Sequence, residues 1–376
     1  MALVAFDAAS GKGASRSFRP TLMKIADLEF FLLRPTAAGL ELGASSEPVE
    51  RTLLVRVATA NGEEGWGEAR TAWRANELSA RRDSALPTLA GHNVADVEEL
   101  LAADGLAPPG MRAAIEMACW DLIGRAARQP LCRLWGGEYR PHVPVALRLP
   151  PATPERAAQL AHDLTERGFF HQIVVAAGDI EQDRAVVKEV RQATADRVKL
   201  RLDGAGRFAP EAARELCRHL EDEDLEFFLD PLATGLDGLT ALARQTAVPL
   251  AVSSSIRAPA DVIAVARAGM APHVVIDIAL VGGLWPARKC AIVAAAAHVP
   301  ASLRGAVGLG VGLAGVIQIA AASPHLALAH ECASFQLYED VLRQSPSIVD
   351  GTIALPLGPG LGVDVDRLRL EAHQMT

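Results

Sequence analysis

The second half of the chain alternates short apolar runs with stretches of helical periodicity. The clearest run, residues 198–202, stops at Asp203 and is followed by glycines at 204 and 206. Further runs of this kind occupy residues 226–229, 250–252, 274–276 and 301–303. Short apolar runs separated by helical patterns are typical of buried parallel strands with connecting helices.

The predicted strand ends recur at a regular interval. They are Val175, Asp203, Asp230, Ser253, Asp277 and Arg304, and consecutive ends lie 23 to 28 residues apart. A βα unit repeats at this interval, and enough such units close a parallel barrel. Because functional groups of these barrels lie at the carboxyl ends of the strands, the polar residues in this set are the candidate site.

The first 140 residues have a different pattern. Two strands flank a polar loop at 36–50, Asn61-Gly62 forms a hairpin turn, and helical spacing follows over 87–102 and 111–127. The pattern predicts an α+β domain over 23–140, a (β/α) barrel over 141–345, and a segment over 346–376 that packs back on the first domain. Residues 1–22 are interpreted as a flexible extension ahead of a second plausible start at Met23.

Composition narrows the function classes. The net charge of -8 and the lack of a Lys/Arg-rich run argue against a nucleic-acid partner. The apolar run at 293–297 is too short to span a bilayer, so no membrane partner is expected. Five scattered cysteines without CxxC spacing indicate core thiols in a reducing compartment, and we expect a cytoplasmic protein.

Five motifs occur in order along the chain, namely Gly65-Trp-Gly-Glu-Ala69, Ala113-Ala-Ile-Glu-Met-Ala-Cys-Trp-Asp121, Gln129-Pro-Leu-Cys-Arg-Leu-Trp-Gly-Gly137, Val281-Gly-Gly283 and Gly358-Pro-Gly-Leu-Gly362. In these motifs the chain, from about Met23 to Leu370, resembles the mandelate racemase/muconate lactonizing enzyme family of the enolase superfamily. The resemblance implies an α+β capping domain over a modified TIM barrel and a homo-oligomer. It also implies a magnesium ion that stabilises the enediolate formed when a proton next to a carboxylate is removed.

The resemblance further implies three acidic metal ligands at strand ends. Asp203 matches the first, whereas Leu229 and Ser253 stand at the positions of the other two. Asp230 could replace the second ligand only with a rotated backbone, because neighbouring strand residues face opposite sides. From the residues alone, Asp203 is either a pocket carboxylate or a turn-forming one that caps the following glycine loop, and Asp230 before Pro231 is consistent with turn chemistry.

The positions of the family's catalytic bases also differ. Its Lys-x-Lys motif falls within residues 172–175, which contain no base. Asp277 matches the aspartate of the racemase-like subgroup, Arg304 occupies the position of its histidine partner, and Glu331 resembles its eighth-strand acid. Since guanidinium cannot accept a proton at ordinary pH, Arg304 is predicted either to pair with Asp277 or to bind an anionic ligand.

Two hypotheses of function follow. In the first, the chain keeps a pocket for a small carboxylate but has lost magnesium-dependent proton abstraction. In the second, it is an active isomerase or lyase with a rebuilt site made of Asp203, Asp230, Asp277, Arg304 and Glu331, which works either without a metal or with one held by Asp203 and Asp230. A serine nucleophile at Ser253 or Ser254 and a phosphate cradle at 305–312 are less well supported, because GxSxG and Lys-Ser/Thr spacings are absent and the glycine-rich stretch is interpreted as a loop and helix start at the barrel rim.

Overall fold

The computed structural model describes residues 23–33, 51–269, 273–305, 309–332 and 339–375. The predicted extension over 1–22 and loop over 36–50 lie outside the described residues, as does part of the glycine-rich stretch.

Within the described residues, a three-stranded antiparallel sheet and four α-helices form the capping domain. The strands β1, β2 and β3 pair in chain order. Helix α3 packs across β3, and this approach requires Gly67, since a Cβ at that position would overlap the carbonyl oxygen of Ala114 in α3. The elements are β1 (Ile25–Leu33), β2 (Arg51–Thr59), β3 (Glu64–Thr71), α1 (Leu78–Leu89), α2 (Val97–Ala102), α3 (Pro109–Ala127) and α4 (Leu131–Leu134).

Eight parallel strands then form a closed barrel, in which the last strand pairs with the first. This confirms the predicted barrel with its α+β cap. The strands are β4 (His142–Arg148), β5 (His171–Val175), β6 (Lys199–Asp203), β7 (Leu225–Leu229), β8 (Leu250–Val252), β9 (His273–Asp277), β10 (Ala301–Arg304) and β11 (His330–Glu331). The helices are α5 (Pro154–Glu166), α6 (Ile180–Thr194), α7 (Pro210–Leu220), α8 (Gly235–Ala243), α9 (Pro259–Arg267), α10 (Ile278–Val281), α11 (Leu284–Ala296) and α12 (Gly310–Ala321).

Side chains alternate between the helix layer and the barrel interior. On β6, Leu200 and Leu202 belong to the core formed with the surrounding helices, whereas Arg201 and Asp203 interact with polar groups of other strands. Because the period of a strand is two residues, a single polar face of β6 carries both charges into the barrel.

The carboxyl-terminal segment differs in part from the prediction. Strands β12 (Ile348–Val349) and β13 (Thr352–Ala354) form a hairpin that pairs antiparallel with β4 of the barrel. The barrel neighbours of β4 pair only with its residues 145–148, so residues 142–144 accept β13 as a ladder partner. The rest of the segment, with α13 (Arg367–His373), returns to the cap, where the Met375 amide donates to Leu32.

All five cysteines are free and buried, as expected for thiols of the core. Among the helices of the described ranges, none combines the length and apolar character that a bilayer crossing needs.

Candidate active site at the barrel mouth

The predicted rim residues lie at neighbouring strand ends. Asp203 is in register with Val175 on one side and Leu229 on the other. Arg304 is in register with both Asp277 and Glu331. Asp203 and Arg304 come from β6 and β10, yet their side chains meet across the barrel at 3.0 Å. The strand ends therefore bring acidic and basic groups together at one mouth.

Asp203 is buried and held by two guanidinium groups. Its Oδ2 accepts from Arg148 Nη2 at 2.6 Å and from Arg304 Nη2 at 3.0 Å, and its Oδ1 accepts from the Ala205 amide at 2.9 Å. Burial disfavours the ionised form, but the charges of Arg148 and Arg304 outweigh it and lower the pKa of Asp203 to about 2. Asp203 is therefore an ionised acceptor of three hydrogen bonds, and the bond to Ala205 gives it the turn role as well as the pocket role.

Arg304 joins Asp203 to Glu331. Its Nε donates to Glu331 Oε2 at 2.6 Å, while Arg148 Nη2 lies 3.5 Å from the same oxygen. Burial opposes the charge of Arg304, but Glu331, Asp203 and Asp277 outweigh that effect and raise its pKa. Arg148, Arg304, Asp203 and Glu331 form one ion-pair network, which we call the mouth cluster.

The predicted ion pair between Asp277 and Arg304 is wrong, because Asp277 has a different arginine as its partner. Asp277 Oδ2 accepts from Nη2 of Arg70 at 2.7 Å, and Arg70 belongs to β3 of the capping domain. The other oxygen accepts from the amides of Ala279 and Leu280 at the start of α10. The side chain of Arg304 is turned instead to Asp203 and Glu331, so a cation from the cap neutralises Asp277.

Asp230 is turned away from the mouth cluster toward the backbone. Its φ of 41° lies in the left-handed region, which aspartate tolerates better than most residues. Its two oxygens accept from the amides of Ser253 and Ser254, each at 2.9 Å. Burial raises the pKa of Asp230 against these hydrogen bonds. Metal ligation by Asp230 would need a rotated backbone at this residue. The backbone is indeed in the left-handed region, but it directs the carboxylate to the loop after β8.

The residues do not fit the magnesium ion that the resemblance implies. The Oδ2 atom of Asp203 already accepts from two cations, and Leu229 packs in an apolar cluster with Phe227, Ala251 and Val275. Ser253 presents a hydroxyl where the third carboxylate would stand. Magnesium binds poorly to a leucine, a hydroxyl and an already paired carboxylate, because it gives up its water shell reluctantly and usually binds through carboxylates. Over the parts of the chain that the structure describes, no three His, Cys, Asp or Glu side chains are grouped to hold a metal.

A further ion pair, which was not predicted, adjoins the mouth cluster, since Nη1 of its arginine, Arg201, lies 3.9 Å from Glu331 Oε1. Arg201 is fully buried, and its Nε donates to Glu226 Oε2 at 2.6 Å. A break in the β6–β7 register between Leu200 and Arg201 leaves Glu226 as the extra residue of β7, opposite no partner. Arg201 could have been predicted, because it lies two residues before Asp203 on the same strand face. Glu226 could not have been predicted, because nothing in the apolar run that contains it indicates a β-bulge.

Two other site arginines were also missed. Arg148 ends β4, the first barrel strand, and Arg70 directly follows the Gly65–Ala69 motif. Including the first barrel strand in the series of strand ends would have identified Arg148. The role of Arg70 depends on how the cap is seated on the barrel, which a local pattern does not specify.

The closed barrel, its antiparallel cap and the charged rim define a capped TIM-barrel protein of the enolase type. Residues 31–136 match the family description "Mandelate racemase / muconate lactonizing enzyme, N-terminal domain", and residues 156–369 match "Enolase C-terminal domain-like". The chain belongs to the mandelate racemase/muconate lactonizing enzyme family of the enolase superfamily.

Its relatives have several different reactions in their names. Muconate cycloisomerase 1 of Rhodococcus opacus is 28% identical over 358 residues, covering 90% of this chain and 94% of the relative. The L-Ala-D/L-Glu epimerase of Bacillus subtilis is 27% identical over 349 residues, covering 88% and 93%. The solved structure of N-succinyl Arg/Lys racemase from Bacillus cereus superposes with a TM-score of 0.84 at 21% identity, covering 94% of this chain and 99% of that one. This last likeness supports the fold alone.

Proposed function

We propose that the protein binds a small carboxylate at the barrel mouth and does not carry out magnesium-dependent proton abstraction. The observation that carries the proposal is the double pairing of Asp203 Oδ2 with Arg148 and Arg304. These guanidinium groups supply fixed positive charge beside the carboxylate on which a metal would depend. A cation could bind the Oδ2 atom only by displacing them, and their charges repel a cation at Oδ1.

Arg148 is the group that we assign to the ligand. Its side chain is 23% exposed, compared with 11% for Arg304, so it is the more accessible arginine of the mouth cluster. The pairing with Asp203 fixes its position, and a guanidinium has five donors in a planar fork that matches a carboxylate. Arg148 can therefore serve Asp203 and a bound carboxylate together.

The ionisation of the site supports binding over the rebuilt-enzyme hypothesis. A general base works best with a pKa near the working pH, whereas the pKa of Asp203 is about 2. Asp277 and Glu331 are each engaged by an arginine at 2.7 Å or less. Asp230 uses both oxygens to bind backbone amides. These side chains neutralise and orient their arginine and backbone partners. Because their oxygens already accept hydrogen bonds from those partners, they are poorly suited to remove a proton from a substrate.

Magnesium should leave the melting temperature unchanged. A ligand at 100 times its dissociation constant that binds only the folded state adds about 2.7 kcal/mol, which a thermal-shift assay detects easily. A family member with three acidic strand ends, measured in the same buffer, is the positive control. A saturable rise in melting temperature with magnesium, abolished by Asp203→Asn, would overturn the metal part of the proposal.

Small carboxylates should bind the wild type, and Arg148→Gln should weaken that binding about tenfold or more, since a charge-assisted hydrogen bond is worth roughly 1.5–3 kcal/mol. Calorimetric titration with acetate, lactate and succinate measures the effect. Arg184→Gln, which alters an exposed ion pair on α6, is the matched control and should bind as the wild type does. Equal affinity of the wild type and Arg148→Gln for every carboxylate would contradict the proposal.

A further inference from the structure

The interior of the barrel contains an arginine whose hydrogen-bonding capacity is largely unused. Arg201 is fully buried, and its Nε donates to Glu226 Oε2 at 2.6 Å. Its Nη1 and Nη2 atoms are also buried, and neither has a hydrogen-bond partner within the part of the chain that the structure describes. These two nitrogens carry the other four of the five guanidinium donors. Unpaired donors of a charged group are costly in a protein interior.

Glu331 has the complementary feature, an acceptor that is not used. Its Oε2 accepts from Arg304 Nε at 2.6 Å, whereas its Oε1 is buried and has no hydrogen-bond partner across the described ranges. Arg201 Nη1 lies 3.9 Å from this Oε1 atom. That separation is too long for a direct hydrogen bond, and it is one that a shared water molecule can bridge.

The other close neighbour of Arg201 does not replace these hydrogen bonds. The Phe227 ring lies against the guanidinium, with Cζ of Arg201 at 4.6 Å from the ring centroid. Such a contact stabilises the cation. A ring face is nevertheless a weak acceptor of N–H hydrogen bonds, so the terminal donors still need an oxygen.

The surrounding charges determine which kind of molecule can bind between the two side chains. Three arginines and three carboxylates balance one another there through ion pairs, and they are Arg148, Arg201, Arg304, Asp203, Glu226 and Glu331. An anion next to Arg201 would also lie next to Glu331 Oε1, and a cation next to Glu331 would lie next to Arg201. A neutral molecule that both accepts and donates avoids either repulsion, and water has this property.

We propose that an ordered water molecule is bound inside the barrel between Arg201 and Glu331. It accepts from the terminal N–H groups of Arg201 and donates to Oε1 of Glu331. Nη1, Nη2 and Oε1 together supply the roughly three hydrogen bonds that are typical of a buried water. The water joins the Arg201–Glu226 pair to the mouth cluster, and it holds Oε1 so that Oε2 stays directed to Arg304. This site does not depend on what the barrel mouth binds.

A crystal structure of the full chain, at a resolution that shows ordered water, tests the site directly. An electron-density peak is expected at about 2.7–3.2 Å from an Nη atom of Arg201 and about 2.5–3.0 Å from Oε1 of Glu331. A direct hydrogen bond between the two side chains without such a peak would overturn the inference. Bromide-soaked crystals distinguish the occupants, because an anomalous peak at this position would mean a halide and would also overturn it.

Magnetic relaxation dispersion of water, which counts long-lived internal water molecules, tests the site in solution. Arg201→Met removes the donors and should lower the count by one. Arg184→Met, at an exposed ion pair of α6, is the matched control and should leave the count unchanged. An unchanged count in a folded Arg201→Met variant would contradict the inference. If this variant does not fold, the crystal structure of the wild type decides.

Discussion

Replacing Arg304 with methionine should lower the free energy of unfolding by about 3–5 kcal/mol, which is the usual cost of removing one partner from a buried ion pair. Arg304 donates to Asp203 at 3.0 Å and to Glu331 at 2.6 Å. Both carboxylates are nearly inaccessible, so water cannot replace the lost charge. Urea denaturation followed by circular dichroism measures the change.

Two controls separate lost charge from lost packing. In Arg304→Met, Glu331 loses its nearest cation and keeps only Arg148 at 3.5 Å and Arg201 at 3.9 Å. Adding Glu331→Gln removes this poorly neutralised charge and should recover part of the stability. Arg184→Met breaks an exposed pair and should cost less than about 1 kcal/mol. A cost for Arg304→Met no larger than that of Arg184→Met would show that the mouth cluster is not a buried network.

The stability lost in Arg304→Met should also depend on pH. The pKa of Asp203 in the folded protein is lowered to about 2, below the usual value of 3.8. Its pairing therefore adds stability above that usual value, and the contribution is lost as the pH falls through about 2. The difference between the wild type and Arg304→Met should accordingly shrink in acid.

The motifs that predicted the fold lie where the cap meets the barrel and tail. Gly67 lets β3 approach α3, and a Cβ at Gly283 would overlap the carboxylate of Glu116. Likewise Gly360, at φ 71°, lies against Asp121, which accepts from the amide of Leu361. Gly67 is fixed by close packing within the cap, and Gly283 and Gly360 by close packing of the barrel and the tail against the cap. These residues therefore report architecture and carry no information on chemistry.

The site was predictable only in part, for a physical reason. Strand periodicity placed Asp203, Asp277 and Arg304 at one rim, because each ends an apolar run, and the family resemblance added Glu331. Which carboxylate pairs with which arginine depends on distances across the barrel and on the seating of the cap. Arg70 reaches Asp277 over 207 positions of sequence, a contact that no local pattern encodes.

Replacing Glu116 with alanine should lower the free energy of unfolding by roughly 3–5 kcal/mol. Three hydrogen-bond donors would lose their acceptor, and each unpaired donor costs about 1–3 kcal/mol. Glu116 is a buried residue of the capping helix α3. Its carboxylate accepts from the amides of Leu284 and Trp285 at the start of barrel helix α11, at 2.7 and 2.8 Å, and from the Trp120 indole at 2.9 Å. Urea denaturation near neutral pH measures the loss, and Glu63→Ala, at an exposed position of the cap, should stay within about 0.5 kcal/mol of the wild type.

Glu116→Gln distinguishes the acceptor role of this side chain from its charge. The amide keeps one accepting oxygen, so its cost should be well below that of the alanine variant. Burial raises the pKa of Glu116 to about 7 against the hydrogen bonds that it accepts. The folded protein then holds the proton more tightly than the unfolded chain, so the wild type should lose stability relative to Glu116→Gln as the pH rises from about 4.5 through 7. A pH-independent difference between the two would mean that Glu116 titrates normally, and an alanine cost near that of Glu63→Ala would mean that it does not join the cap to the barrel.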